Sequence, residues 1–367
     1  MALRTEELML NMGPQHPSTH GVLRLIVTLD GENIVDVQPD IGYLHSSVEK
    51  MMEHRTYVQN VALVDRGMDY LIALNNEEVY CLAVERLAGI QPPERARYIR
   101  VIFSELNRIA SHLVWLGTWA IDLGATTVFL WCFREREMIL DLFEKVTGGR
   151  LHHVYFRIGG VYADLPEGWV EECGAFLEYF LPRVDEYDQL LTENPIFLAR
   201  TRGVGKISRA DAIAMGASGP VGRASGVAYD VRKAAPYEVY DRMEFEVPVL
   251  EEGDCFARYL VRLAEMRQAV RIIRQALRAL PGGEIRTRVP MTMKAPRGEA
   301  YVHTESPRGD LGIHIVSDGA ETPYRVKIRA PSFNNLYALT EMMKGWKVAD
   351  VIAILGSIDI VLSDVDR

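Results

Sequence analysis

Leu113 through Phe133 carries a single charge, Asp122, over a length that meets the roughly 20-residue criterion for crossing a bilayer. A carboxylate near the middle of such a span costs about 2.5–3.5 kcal/mol on insertion. The run is also interrupted by Asp122-Leu123-Gly124-Ala125. It therefore reads as a pair of buried core helices, which requires a core deep enough to surround them. A chain of 367 residues at 48% hydrophobic content supplies that core, arranged as two or three lobes. Asp122, placed among apolar residues, must be paired or hold its proton more tightly than usual.

Other segments carry the helical period. Pro92-Pro93-Glu94 opens a helix whose apolar residues Ile99, Ile102, Leu106, Ile109, Leu113 and Leu116 fall three and four apart. A further helix is expected over Arg134–Val146, stopped by Gly148-Gly149. The longest is expected from near Asp254 to Pro281-Gly282-Gly283, with Phe256, Leu260, Leu263, Met266, Val270, Ile273, Leu277 and Leu280 on one stripe. Arg267, Arg271, Arg274 and Arg278 lie one step round from it, either a docking face for an acidic partner or a solvated row.

The two ends read as β structure. Val22–Leu29 and Asn33–Val37 flank Asp30-Gly31, a favoured hairpin turn. Leu311–Val316 and Tyr324–Ile328 flank Ser317-Asp318-Gly319 as a second hairpin. The expected class is α+β: a β region with a histidine loop over 1–41, a helical bundle over 42–285, and a C-terminal β-hairpin region with a terminal helix or tail over 286–367.

The net charge of -9 argues against a nucleic-acid surface. Cys81, Cys132, Cys173 and Cys255 form no C-x-x-C pair, so neither a zinc ribbon nor a chain-held iron–sulfur cluster is encoded. Unpaired cysteines and 14 methionines suit a reducing compartment. Met1–Glu7 lacks an apolar h-region and a basic bias, so no targeting leader is expected. Gly203-Val204-Gly205-Lys206 lacks the preceding glycine of a phosphate loop, and Gly216, Gly219 and Gly222 do not follow a strand of a βαβ unit.

His16 and His20 stand four apart in Gly13-Pro14-Gln15-His16-Pro17-Ser18-Thr19-His20-Gly21. On a helix that spacing would suggest zinc. Here Pro17 biases His16 away from helical angles, and glycines and a second proline crowd the segment. A tight loop at the mouth of a sheet is expected, delivering imidazole to a fixed point. Imidazole changes charge near neutral pH, which suits proton donation to a bound molecule. A zinc hydrolase would need an H-E-x-x-H helix or a third ligand, and neither is evident.

Several stretches together resemble one family. They are GPQHPSTHGVLRL, GYLHSSVEKMMEHRTYVQN, RYIRVIFSELNRIASHLVWLG, FREREMILDLFEKVTG, RASGVAYDVRKAAPYEVYD, KIRAPSFNNL and GSIDIVLSDVDR. The family is the large quinone-site subunit of respiratory complex I and its photosynthetic-type relatives, the D/H-type or 49-kDa-type subunit. That family is related to the nickel–iron hydrogenase large subunit, so the resemblance implies a long-helix bundle with small β elements at its periphery. Hydrogenases end in D-P-C-x-x-C-x-x-H; here Val361 and Asp364 stand at the cysteine positions and Arg367 at the histidine. The region matching the upstream hydrogenase cysteines, Arg66–Tyr70, lacks them too. Without thiolates no nickel site remains.

The resemblance implies that the emptied pocket holds a quinone headgroup as substrate, with no metal of this chain's own. It maps the two proton donors onto His20 and Tyr70 and the histidine's partner onto Asp122. His16 and Asp69 fall beside the quinone site, Arg66 beside both the quinone and a partner's cluster, and His152 beside that cluster. It further implies a [4Fe-4S] cluster in a neighbouring small iron–sulfur subunit, and NAD in a different subunit if NADH is the donor. The other partners implied are a 30-kDa-type subunit, a ferredoxin-like subunit and a membrane-embedded quinone-channel subunit. The chain would sit peripherally on the cytoplasmic side of the membrane, or the matrix or stromal side in an organelle. Three departures stand out: Gly67 is inserted in Asp65-Arg66-Gly67-Met68-Asp69-Tyr70, Ser46 replaces a common arginine, and the 283–295 stretch is short.

Overall fold

The computed structural model describes residues 7–14 and 21–367. Strands β1 (Leu8–Met12), β2 (Arg24–Asp30) and β3 (Asn33–Asp40) form an antiparallel sheet in that order. The expected hairpin turn is present, with Gly31 at φ +63°. Leu25, Val27 and Leu29 alternate inward along β2, the period-2 pattern of a sheet with one covered face. Strand β1 adds a third member to the expected hairpin; its pairing of Met12 with Leu25 makes the histidine segment the connection between β1 and β2.

Helices α1 (Val48–Met52), α2 (Tyr57–Gly67), α3 (Ala73–Ala88), α4 (Glu94–Asp122) and α5 (Thr126–Thr147) follow. A small hairpin, β4 (Phe156–Arg157) and β5 (Gly160–Val161), precedes α6 (Trp169–Leu191). Then come α7 (Pro195–Thr201), α8 (Arg209–Ala214), α9 (Gly219–Arg223), α10 (Val231–Ala234) and α11 (Cys255–Arg278). Strands β6 (Gly298–Ser306), β7 (Gly309–Ser317) and β8 (Arg325–Arg329) form a second antiparallel sheet. The chain ends in α12 (Pro331–Met343), α13 (Val351–Ile358) and α14 (Leu362–Asp366).

The α+β class is as expected, with three local corrections. The longest helix is α4, at 29 residues against 24 for α11, because α4 runs on through the apolar stretch to Asp122 while α11 stops at Arg278. Arg134–Val146 is no separate helix but the second half of α5, which nothing interrupts between Thr126 and the Gly148 cap at φ +78°. The 113–133 stretch does divide at Leu123-Gly124-Ala125, but its far end reaches the surface: Leu130 is 62% exposed. Asp122 is thus the last residue of α4, half-buried, instead of a charge sealed in mid-helix. No helix among the described residues is long and apolar enough to cross a membrane.

One hydrophobic core joins the N-terminal sheet, the helices and the C-terminal elements. The two ends of the chain meet through Ile34 N–H to Trp346 O at 2.7 Å and Gly345 N–H to Ile34 O at 2.8 Å. Three of the four arginines in the α11 row are engaged within the chain. Arg267 pairs with Asp185 and Asp188, Arg274 with Glu178, and Arg271 approaches Glu244 and Glu246.

Candidate functional site

Helix α2 ends where Gly67 packs on α1; a Cβ there would stand 2.7 Å from Val48 Cγ2. Gly67 therefore permits a close approach of the two helices. Past Met68, Asp69 caps a 3-10 turn over Tyr70–Ile72, its Oδ1 accepting from Leu71 N–H at 3.0 Å. Asn76 donates to Asp69 O at 2.8 Å and Asn107 to Leu71 O at 2.9 Å, which ties the turn to α3 and α4. The turn buries Asp69 completely and leaves Tyr70 40% exposed.

The C-terminal tail comes to the same place. On α4, Trp115 and Trp119 bury their rings and donate to Gly356 O (2.7 Å) and Ala353 O (3.0 Å), so α13 is fixed along the bundle. Arg262 donates to Ser357 O and Ile358 O at 2.8 and 3.2 Å, a cation at the carbonyl end of α13. The chain then turns at Asp359, φ +56°. Ser363 Oγ donates to Met68 O at 2.5 Å, and the Asp366 carboxylate accepts from Gly42 N–H and Leu44 N–H. Segments 66–70 and 359–367, from opposite halves of the sequence, are neighbours.

Arg308, in the tight turn between β6 and β7, joins them. Its Nη1 lies 2.6 Å from Asp69 Oδ2 and donates to Ser111 Oγ at 3.1 Å; its Nη2 reaches Asp359 Oδ1 at 3.2 Å. The whole arginine is buried. Asp364 accepts from Ser332 N–H at 3.1 Å and lies within the field of Arg308. Burial pushes Asp69 up to about 7; Arg308 opposes this, while Asp364 and Asp359 reinforce it. Burial likewise raises Asp364. The Tyr70 phenol is raised by burial of its inner side and then by the Asp69 carboxylate. The result is a phenol at the surface above an acid that titrates near neutrality.

The remaining sequence-derived residues fall in other places. His16 and His20 lie outside the described residues; their flanks are at the Met12/Leu25 end of the first sheet. Asp122 is eleven positions beyond Ser111 on α4, about 16 Å along the axis at 1.5 Å per residue, so it does not join the Arg308 cluster. His152 and Arg66 form a second patch around the last turn of α2. His152, at φ +61°, places Nδ1 2.8 Å from Asp65 Oδ1, and Asp65 Oδ2 accepts from Val154 N–H at 2.9 Å. Glu77 accepts from Tyr155 N–H and Phe156 N–H; burial, then Asp65, holds it well above the ordinary carboxyl range. Arg66 is exposed on that turn, and Ser46 is exposed.

Sequence reasoning passes over Arg308, Asp65 and Glu77. Their signals are the Ser306-Pro307-Arg308-Gly309 turn and the acids Glu77, Glu78 and Glu85 inside the otherwise apolar period of α3. Two large grooves lie elsewhere and exclude Tyr70. One of about 760 Å³ runs past Val58, Arg157, Arg286, Arg288 and Met291, and one of about 600 Å³ lies between β3 and α12. Among the described residues no group of three or more His, Cys, Asp or Glu side chains is placed to hold a metal.

The site thus sets a surface phenol beside buried acids on an α+β scaffold. The sequence profile described as "Respiratory-chain NADH dehydrogenase, 49 Kd subunit" matches residues 122–294 and 287–367. The chain is 54% identical over 366 residues to the D-type subunit of NADH-quinone oxidoreductase from Desulforamulus reducens, covering 100% of both. It is 53% identical over 389 aligned positions to the H-type subunit of NAD(P)H-quinone oxidoreductase from Thermosynechococcus vestitus, covering 99% of this chain and 98% of that one. The chloroplastic H-type subunit of Chlorokybus atmophyticus is 51% identical over 388 positions, covering 99% of this chain and 98% of its own. The chain belongs to the 49-kDa subunit family of respiratory-chain NADH dehydrogenase. The profile's two matches overlap at 287–294, within the stretch read as short.

Proposed function

We propose that this chain is the quinone-site subunit of a proton-translocating NADH- or ferredoxin-linked quinone oxidoreductase. In this reading it binds the quinone headgroup beside a neighbouring small iron–sulfur subunit, protonates the reduced quinone, and links that step to proton pumping. Support comes from its family and from near-full-length relatives named as quinone oxidoreductase subunits. The observation that carries the site is Tyr70, presented at the surface over buried Asp69 where the 66–70 and 359–367 segments meet. These are the segments that correspond, through the resemblance to nickel–iron hydrogenases, to a metal pocket without its cysteines.

Two-electron reduction of a quinone places negative charge on two oxygens, so two donors are required. Tyr70 serves one oxygen. A phenol with an ordinary pKa near 10, here raised further, keeps its proton until a strongly basic oxygen forms. His20, from the β1–β2 connection, serves the other as imidazolium, and His16 supports its loop. Asp122 is the carboxylate partner of His20, and its changed charge after proton transfer starts the movement toward the membrane. Asp69 lines the quinone site behind Tyr70. His152, oriented through Nδ1 by Asp65, and Arg66 face the partner's [4Fe-4S] cluster. NAD binds a different subunit. The remaining partners are the 30-kDa-type, ferredoxin-like and membrane quinone-channel subunits, with this chain peripheral to the membrane.

The test is Tyr70→Phe in the intact complex. Loss of a positioned general acid is expected to lower quinone reduction about 10²-fold, while electron delivery to a soluble artificial acceptor is retained. An unchanged rate with quinone contradicts the reading. Asp122→Asn tests the pumping link: quinone reduction with a normal proton stoichiometry removes that role from Asp122.

A further inference from the structure

Two acids from two segments pair with one guanidinium beside the Tyr70 turn, and a third acid lies within its field. Asp69 follows α2, Asp359 follows α13 and Asp364 lies on α14, while Arg308 comes from the β6–β7 turn. Arg308 cannot move aside. A Cβ on Gly219 would stand 2.5 Å from Arg308 O, and Asn335 Nδ2 donates to that oxygen at 3.1 Å. Its side chain is held by Ser111 as well as by the two aspartates it touches.

The other groups facing the cluster do not balance it. From α11, Arg262 Nε stands 4.0 Å from Asp359 Oδ2, and its Nη atoms donate to Arg258 O and to Ser357 O and Ile358 O at the C-terminal end of α13. Arg367 adds to the field at Asp364, but its Nε is 3.5 Å from Glu49. From α3 and α4, Asn76 and Asn107 satisfy backbone oxygens, not these carboxyls. Asp359 Oδ2 and Asp364 Oδ1 are buried and accept no hydrogen bond from any described residue. Burial raises Asp69 and Asp364, and the negative charges of the neighbouring aspartates further disfavour ionisation of Asp69.

We propose that this cluster is a proton store that reloads Tyr70, with Asp69 the group that gives the proton and Arg308 the positioning residue. The inference rests on the reading of Tyr70 as a quinone donor and deepens it. In the step, the Tyr70 O–H bond breaks and its proton joins the reduced quinone oxygen. The Asp69 carboxyl O–H then breaks and its proton re-forms the phenol, leaving an Asp69 carboxylate against Arg308. No electrons move among these groups; Asp69, sealed from solvent, regains its proton by way of the half-exposed Tyr70 hydroxyl, which passes its own proton inward and takes another from water. The titration of Asp69 near neutrality agrees with such a store.

The test uses the intact complex with a short-chain benzoquinone, following kcat and KM from about pH 5 to about pH 9. In wild type, kcat falls on the alkaline side with a midpoint near the Asp69 value of about 7. Asp69→Asn, which keeps an acceptor for Leu71 N–H, is expected to lower kcat about 10-fold at an unchanged KM and to erase that limb. Arg308→Lys retains the limb; Arg308→Met moves it to higher pH, because the charge that lowers Asp69 is gone. As a second readout, the infrared difference spectrum on turnover loses a carboxylic-acid carbonyl band in Asp69→Asn. Wild-type kcat, pH limb and infrared band in Asp69→Asn overturn the store. If Tyr70→Phe is impaired in that case, only this inference falls; if Tyr70→Phe also matches wild type, the donor reading falls with it.

Discussion

Along one face of α4, Glu105 and Arg108 enter a buried network with Arg232, Asp230, Arg223, Glu305 and Glu265, whereas one turn further on Ser111 meets Arg308 and its aspartates. The two clusters use the same residue types at the same depth. In the first, guanidiniums are interleaved among the acids: Arg232 sits 2.6 Å from Asp230 and 3.0 Å from Glu105, and Arg223 sits 2.5 Å from Glu265 and 2.7 Å from Glu305. Burial opposes ionisation there, yet Arg232 and Arg223 carry Asp230 down to about 2, and Arg223 carries Glu265 well below its usual range. Glu305, pushed up to about 6, is the one acid of that network where burial wins. Among the described residues of the second cluster Asp69 touches a single guanidinium, Arg308, and it rises to about 7. An acid shared between two cations stays ionised and fixes a fold; an acid left with one keeps a proton that can travel.

The largest difference should appear when a guanidinium is removed. Arg232→Met leaves buried Glu105 with Arg108 and buried Asp230 with Arg223 at 3.8 Å as their remaining cations, and breaking such a pair typically costs about 3–5 kcal/mol. The expected outcome is a complex that loses this subunit on mild heating, measured as subunit content after a thermal ramp. Full retention at wild-type temperatures would erase the structural role of the first cluster.

The pH dependence of stability should have opposite signs in the two regions. Asp69 has a folded value of about 7, above the unfolded value of about 3.9, so its stabilising contribution is complete below about pH 4 and lost as pH rises toward 7. Asp230 has a folded value of about 2, so its contribution is complete above about pH 4 and lost as pH falls toward 2. Thermal midpoints of the complex against pH, with Asp69→Asn and Asp230→Asn beside wild type, read both. Asp69→Asn should flatten the slope between about pH 4 and 7, and Asp230→Asn the slope below about pH 4. Slopes of the same sign would dissolve the distinction.

Much of this contrast is hidden in the sequence for a physical reason. Pro92-Pro93-Glu94, the apolar period of α4 and the Asp30-Gly31 turn are local signals, and each marks the element it should. The motifs around Arg66–Tyr70 and Asp359–Arg367 are visible as separate segments. Their meeting depends on Trp115, Trp119 and Arg262 gripping α13, a long-range contact with no local trace. Arg308 escapes notice because an arginine in a Ser-Pro-Arg-Gly turn looks like an exposed loop residue until packing buries it. In sequence the Asp122-Leu123-Gly124-Ala125 break marks the division between two helices, yet Asp122 reads as a buried charge, because nothing there reveals that α5 begins near the surface. The 134–146 helix reads as separate from the start of α5 for the same reason: an apolar run carries no periodic mark of where it passes from one element to the next.

A smaller effect separates both clusters from the surface. Arg274 pairs with Glu178 at 2.7 Å on a largely exposed face. Exposed pairs contribute about 0–1 kcal/mol, so Arg274→Ala should leave stability, assembly and quinone reduction at wild-type levels. Detachment of another subunit in that variant would restore the docking-face reading of the α11 row. Asp65→Asn, between these extremes, should leave quinone binding intact while changing the orientation of His152, read as a shift in the imidazole signals of the infrared difference spectrum.

The most direct observation is the structure of the intact complex with a quinone bound at its headgroup site. One headgroup oxygen should lie about 2.6–3.2 Å from Tyr70 Oη and the other within reach of His20, with Asp69 and Arg308 behind the phenol. A headgroup held away from Tyr70, or a Tyr70 sealed against a partner with no path to the bilayer, would contradict the proposed chemistry.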